Sequence, residues 1–183
     1  MAKRINREDA VKIIYYFMSI SGRNSKKKEK YFYDVCDKVV PYLKGNRREE
    51  LINKCDKKIE KIKSSGDYNN GVKQEIRNRI VYSKTYDQIS SRILVWDLLV
   101  ISFNFGSYSK IQQGIIRMVV HEAKIDEMLF EEMEDSIKTL DSIDKEIGWL
   151  KHSKKSQERI KLTIDELYDR QNVIEARIKD LVA

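Results

Sequence analysis

Asn104-Phe105-Gly106-Ser107-Tyr108-Ser109-Lys110-Ile111-Gln112 is the stretch that decides the fold, because the chain carries a second stretch of the same design. The second is Ile20-Ser21-Gly22-Arg23-Asn24-Ser25-Lys26-Lys27-Lys28, and 84 residues separate the two glycines. In each stretch an apolar run precedes the glycine and a helical pattern follows it. A glycine in the left-handed conformation can end one helix, and a serine three residues later can cap the next. Each stretch therefore predicts a helix-turn-helix corner.

The composition favours an all-α chain. Of its 183 residues 41% are hydrophobic, which is enough for a core, whereas one proline and seven glycines are few for the turns of an all-β fold. No run of about 18 apolar residues occurs, and the N-terminus turns polar before a signal sequence could form. We therefore expect a cytoplasmic protein. Cys36 and Cys55 lack the spacing of metal ligands, which predicts two reduced, partly buried thiols.

Apolar residues recur at helical spacing along residues 1–136 and predict about seven helices there. The first would cover about residues 7–21, and Ser25 would cap the second. Pro41 and Gly45 interrupt the connection that follows. A fifth helix would include Ile89 and continue through Ile101, and a late helical segment would restart at Met128. We therefore predict a helical domain over residues 1–136.

Residues 137–183 have a narrower apolar pattern, which predicts an antiparallel helical hairpin with its turn at residues 152–156. Apolar residues of the second arm alternate steps of four and three, the spacing of a coiled-coil seam. Gln171 is polar in that seam and could fix its register or the number of partners. So narrow a seam must pack on the first domain, on a second copy or on another protein. The predicted partner-binding residues are Ile160, Ile164, Leu167, Gln171, Ile174, Ile178 and Leu181.

Charge is divided unevenly along the chain. Residues 1–84 carry 22 Lys and Arg against 11 Asp and Glu, whereas residues 85–183 carry 14 against 18. The basic half could attract nucleic acid, anionic lipid or an acidic protein. However, Lys, Ile, Asn and Tyr are all abundant together, as a genome biased toward A and T would produce, and this favours a solvated lysine surface. Phosphate attraction suits its pattern better than base recognition. The candidate basic patch consists of Arg23, Lys26, Lys27, Lys28, Lys30, Arg47 and Arg48.

At its two corners the chain resembles the TerB-like family of tellurite-resistance proteins, over about residues 5–140. The matching residues are Gly22 with Ser25 and Gly106 with Ser109, with Tyr108 at the hydrophobic position of the turn and Ile125–Phe130 like the family's helix restart. The resemblance implies an all-helical fold and, in the family, Asp and Glu side chains that converge as a cation site. Here those four positions hold Ser21, Lys28, Phe105 and Gln112, so we predict no metal at the corners and no cofactor.

No enzyme motif stands out in the sequence, and we predict no catalytic residue. His121 and His152 are isolated, and the acidic run from Glu122 to Asp135 lacks the histidines of a di-iron bundle. We expect a non-enzymatic bacterial module that binds another protein or itself through the hairpin, and the resemblance implies a stress-response or membrane-associated complex. The alternatives are an immunity or antitoxin-type accessory protein and a nonspecific nucleic-acid-binding module that uses the basic half.

Overall fold

The structure is a computed structural model that describes residues 1–20 and 25–183. Within those ranges eight helices and two short strands follow one another: β1 (Arg4–Asn6), α1 (Arg7–Met18), α2 (Lys26–Val39), α3 (Asn46–Ser64), α4 (Tyr68–Val81), β2 (Gln88–Ser90), α5 (Ser91–Phe105), α6 (Lys110–Glu122), α7 (Glu127–Lys151) and α8 (Gln157–Val182). They form two compact units, Met1–Asp126 and Glu127–Ala183. The all-α prediction is confirmed.

Helix α1 supplies much of the core of the first unit. Its apolar side chains are buried on nearly every side, and the helix packs against α2, α3, α4 and α5. Asn6 precedes the helix and its side chain accepts hydrogen bonds from the backbone N–H groups of Glu8 and Asp9, at 3.1 and 3.2 Å. These bonds satisfy two of the donors that a helix N-terminus leaves without a partner. The first helix ends at Met18, and the predicted stop at Gly22 lies outside the described residues.

The two strands form an antiparallel ribbon that the sequence did not predict. Ile5 of β1 lies opposite Ile89 of β2, and both are buried. The fifth helix was expected to include Ile89, but α5 begins at Ser91 instead, after the Ser90 side chain caps its first turn. Pairing with the N-terminal strand holds residues 88–90 in the extended conformation.

The second unit is an antiparallel helix pair. Hydrogen bonds and ion pairs join α7 and α8 in opposite order, with Lys151 near Tyr168 and Glu132 near Arg177. The segment at Met128 and the first arm at Ile137, which were expected as separate helices, are one continuous helix, α7. The described part of the first unit therefore holds six helices instead of about seven. The predicted domain boundary after residue 136 lies inside α7, whereas the second unit begins at Glu127.

No helix within the two described ranges is long and apolar enough to cross a membrane. Cys36 and Cys55 are both buried, and neither forms a disulfide bond. Burial raises the pKa of Cys36 to about 12 and that of Cys55 to about 11, so both thiols stay protonated at neutral pH.

Candidate functional site

At the first corner Lys28 is buried, at a position where the resemblance would put a carboxylate. Ser25 caps α2 by accepting from the Lys28 backbone N–H at 3.2 Å. The Lys28 ammonium donates to the Met18 carbonyl at the C-terminal end of α1, at 2.9 Å, and the side chain is only 5% exposed. Burial lowers the pKa of Lys28. The ammonium thus brings a positive charge to the negative end of the α1 dipole. Ser21 lies outside the described residues.

At the second corner Gln112 forms a capping box with Ser109. The Gln112 backbone N–H donates to the Ser109 hydroxyl at 3.3 Å, and the Ser109 backbone N–H donates to the Gln112 side chain at 3.0 Å. The sequence predicted a left-handed conformation at Gly106, and this is wrong, since its φ is −130°. Tyr108 has the positive φ instead, 47°. Glycine fits at position 106 for a different reason: a Cβ there would lie 2.4 Å from the Gln112 amide.

The two corners are brought together through α2. The Tyr31 ring packs edge-on against the Phe105 ring, with centroids 5.2 Å apart, and the Lys27 ammonium lies 6.0 Å from the Phe105 centroid. Aromatic and cationic side chains therefore meet at the place where the resemblance would put carboxylates. In the described ranges no three His, Cys, Asp or Glu side chains form a group that could hold a metal ion.

Asp97 is a buried carboxylate close to this contact that the sequence analysis missed. Its Oδ1 lies 3.5 Å from the Lys38 ammonium, whereas its buried Oδ2 has no hydrogen-bond partner. Burial raises the pKa of Asp97, and the Lys38 charge only partly opposes that rise. A signal was present in the sequence, since Asp97 lies on the same stripe as Leu94, Leu98 and Ile101, which are all buried.

A cleft of about 830 Å³ lies between α1, α2, α3 and α4. Its volume is in the range of small-molecule pockets. The Tyr15 hydroxyl donates to Asp56 at 2.6 Å and the Tyr68 hydroxyl donates to Ser19 at 2.7 Å, so these polar groups are already satisfied. Three lysines and three acidic residues line the cleft, and its charge therefore selects for neither anions nor cations: Lys26, Lys28, Lys63, Glu29, Asp56 and Glu60.

The seam predicted to bind a partner packs inside the hairpin. Ile160 and Leu167 form one buried cluster with Ile143, Ile147 and Leu150 of α7, and the half-buried Ile164 and Ile174 pack against that cluster. Ile178 is buried and Leu181 is half-buried. The Gln171 amide donates to the Asp144 carboxylate of α7 at 2.5 Å. Gln171 therefore pairs across the hairpin, within one chain.

The opposite face of α8 carries an acidic stripe with two exposed aliphatic side chains. Leu162 and Val173 are 64% and 70% exposed, and their spacing of 11 residues is about three helical turns, so they share one face. The carboxylates of the stripe are exposed, and none of them makes an ion pair in the part of the chain that the structure describes. They are Glu158, Asp165, Glu166, Asp169 and Asp180.

The residues of the candidate basic patch differ in their burial and in their contacts. Lys26, Lys27 and Lys30 are exposed at the start of α2, whereas Lys28 is buried. Arg47 is exposed in the first turn of α3, and Arg48 donates to the Leu43 carbonyl at 2.9 Å and pairs with Asp37. Asp37 lies roughly 16 Å along α2 from Lys26. Arg23 lies outside the described residues.

The two histidines are both exposed. His121 Nδ1 lies 4.0 Å from the Glu122 carboxylate. His152 Nδ1 lies 2.8 Å from the Gly148 carbonyl, near the hairpin turn.

Comparison of the chain with protein-family models, curated proteins and solved structures finds no match.

Proposed function

We propose that the protein is a non-enzymatic interaction module that binds a basic segment of another protein along the acidic stripe of α8. The observation that carries the proposal is the stripe itself: Leu162 and Val173 project among five carboxylates that have no ion-pair partner in the described residues. Exposed aliphatic side chains supply area to bury, and unpaired charges supply the attraction that selects a partner.

The partner is basic, and it is not a second copy docked stripe to stripe. Two copies that met through this stripe would bring five carboxylates against five, and like-charge contacts at an interface cost several kcal/mol. A lysine- or arginine-rich amphipathic helix offers the complementary charge and an apolar face of matching spacing. The seam residues from Ile160 to Leu181 have a supporting role, because their packing on α7 keeps α8 straight and presents the stripe.

The first unit enters the proposal through the resemblance of its corners to TerB-like proteins. We propose that this unit is TerB-like. The Ser109 capping box and the contact between the Tyr31 and Phe105 rings support the pairing of the two corners. A place in a bacterial stress-response or membrane-associated complex rests on that resemblance.

The test is cross-linking from single positions of α8 in the full chain. A photoreactive p-benzoylphenylalanine is placed at Leu162 or Val173, and the matched control carries it at Lys161, which is exposed on the same helix about 100° away from Leu162. In cells of the source organism, we expect a cross-linked protein from the two stripe positions only. The linked peptide, identified by mass spectrometry, should be rich in Lys and Arg.

A charge-reversal variant sharpens the test. Asp165→Lys with Asp169→Lys should abolish the cross-link from Val173 without changing the helical circular dichroism, because both carboxylates are exposed. A product with twice the mass of the chain would show that a second copy occupies the stripe, and equal products from all three positions would show that the stripe is not an interface. Either result contradicts the proposal.

A further inference from the structure

Three tyrosines of the first unit project into solvent from neighbouring connections. Tyr42 precedes α3, and Tyr82 and Tyr86 lie between α4 and β2. They are 48%, 80% and 62% exposed. The Tyr42 hydroxyl donates to the carboxylate of Asp87, next to Tyr86, so the two connections are joined. We call Tyr42, Tyr82 and Tyr86 the tyrosine surface.

The segment that carries Tyr82 and Tyr86 is held from below by buried polar groups. The Asn6 amide donates to the Tyr86 carbonyl at 2.8 Å, and the Asn6 backbone N–H donates to the Ser83 hydroxyl at 2.9 Å. That hydroxyl donates in turn to the buried Asp9 carboxylate at 3.2 Å. A short connection fixed by such bonds presents its side chains at little further entropic cost, which is what a binding surface requires.

The backbone of Asp87 is strained in the same place. Its φ of 46° lies in the left-handed region, which a non-glycine residue rarely adopts. The strain is held by the Arg7 backbone N–H, which donates to the Asp87 carbonyl at 2.8 Å, and by the Arg7 guanidinium, 3.1 Å from the Asp87 carboxylate. Arg7 thereby also offsets the negative charge of Asp87 beside the tyrosines.

Cations accompany two of the three rings. The Arg47 guanidinium lies 6.0 Å from the centroid of the Tyr42 ring, and the Lys84 ammonium lies 5.5 Å from that of the Tyr86 ring. The first unit as a whole carries 26 Lys and Arg against 15 Asp and Glu. Glu8 is a second carboxylate near Tyr42, besides Asp87, and it opposes this local excess of positive charge.

We propose that the tyrosine surface binds single-stranded nucleic acid, with bases stacked on the tyrosine rings and phosphates attracted by Arg47 and Lys84. Aromatic rings interleaved with cations on a rigid surface are the features of sequence-tolerant single-strand binders. Duplexes fit less well, because their bases are already stacked on one another. The lysines at the start of α2 are a poorer site, because the nearby Tyr31 and Phe105 rings pack on each other and are half-buried.

The test measures fluorescence anisotropy of the full chain with labelled oligodeoxythymidine and oligouridine of about 12 nucleotides, a length typical of one binding site. We expect Tyr86→Ala to weaken binding about tenfold and Tyr86→Phe to restore it, because phenylalanine retains the stacking face. Raising the salt from about 50 to 200 mM should weaken binding about sevenfold, the loss expected for two phosphate contacts on a single strand. A duplex of equal length should bind more weakly than either single strand.

Tyr168 is the matched control. It is an exposed tyrosine in the acidic second unit, with the Lys151 ammonium 5.9 Å from its ring centroid, so it repeats the tyrosine–lysine pair without the surrounding positive charge. Tyr168→Ala should leave binding unchanged. The proposal is overturned by an absence of binding at low salt, by equal binding of duplex, or by a loss that follows the Lys26, Lys27 and Lys30 triple change to Gln while Tyr86→Ala binds normally.

Discussion

The two units differ in where they place polar side chains. In the part of the chain that the structure describes, all eight buried polar or charged residues belong to the first unit: Asn6, Asp9, Lys28, Glu75, Ser91, Asp97, Ser102 and Gln112. The hairpin holds none. Its nearest equivalents are the half-buried Gln171, whose partner Asp144 is exposed, and the half-buried Ser153, whose hydroxyl is buried without a hydrogen-bond partner.

Depth explains this difference. Six helices pack in several directions and create an interior in which a polar group must find a partner or cost free energy. Two helices share a single seam, so a polar side chain at the edge of the seam can still reach water. The first unit therefore uses polar contacts to fix its interior, whereas the hairpin is free to place its charges outside, where they can meet a partner.

Reversing the buried charge at Lys28 should have the largest effect. Lys28→Glu would place a carboxylate against the carbonyl end of α1, which is already negative. We expect a loss of about 3 kcal/mol in the free energy of unfolding, the scale for an uncompensated buried charge. Urea denaturation would measure it. Lys26→Glu, exposed two residues earlier, should change stability by less than about 0.5 kcal/mol, and equal losses in both variants would contradict the role of Lys28.

Asp97 should give a smaller effect that depends on pH. Because burial raises its pKa in the folded state, the folded protein keeps a proton that the unfolded chain releases above its ordinary pKa of 3.8. The stability contributed by Asp97 therefore falls as the pH rises from the ordinary pKa to the raised pKa of the folded state. Asp97→Asn removes the titration, and we expect the variant to be more stable than the wild type by about 1 kcal/mol at neutral pH.

Urea denaturation at a series of pH values would test this expectation. The advantage of Asp97→Asn should shrink toward pH 4 and grow above it, and the control Asp34→Asn, at an exposed position of α2, should change the free energy of unfolding by less than about 0.5 kcal/mol. A variant less stable than the wild type at every pH would show that the Lys38 ion pair outweighs the cost of burying Asp97.

The sequence predicted the features that depend on local periodicity. Scarce proline and glycine and the helical spacing gave the all-α class. The alternation of four and three residues in α8 predicted the apolar seam in which Ile160, Leu167 and Ile178 are buried. The caps at Ser25 and Ser109 follow from the same local chemistry. These features are set by neighbours within one or two turns, which a sequence displays directly.

The missed features depend on partners that are distant in the chain. Strands of three residues are too short for a recognisable alternation, and β1 pairs with a segment more than 80 residues away. Lys28 lies on the same stripe as Phe32, Val35 and Val39, and so could have been placed inside, but its charge argued for the surface until the α1 carbonyl supplied a partner. The tyrosine surface arises only when two connections meet through Asp87.

Gln171 should have the smallest effect on stability. Gln171→Leu loses a hydrogen bond to an exposed carboxylate and gains apolar burial beside Leu167 and Ile174, and the two changes nearly cancel, leaving the free energy of unfolding within about 1 kcal/mol of the wild type. What should change is specificity, because a seam that is apolar at every position discriminates less well between partner numbers. Light scattering after size exclusion should show higher oligomers at high concentration for Gln171→Leu and not for Asn172→Leu, its exposed neighbour. A loss above about 2 kcal/mol would instead place Gln171 with the buried polar residues of the first unit and end the contrast between the units.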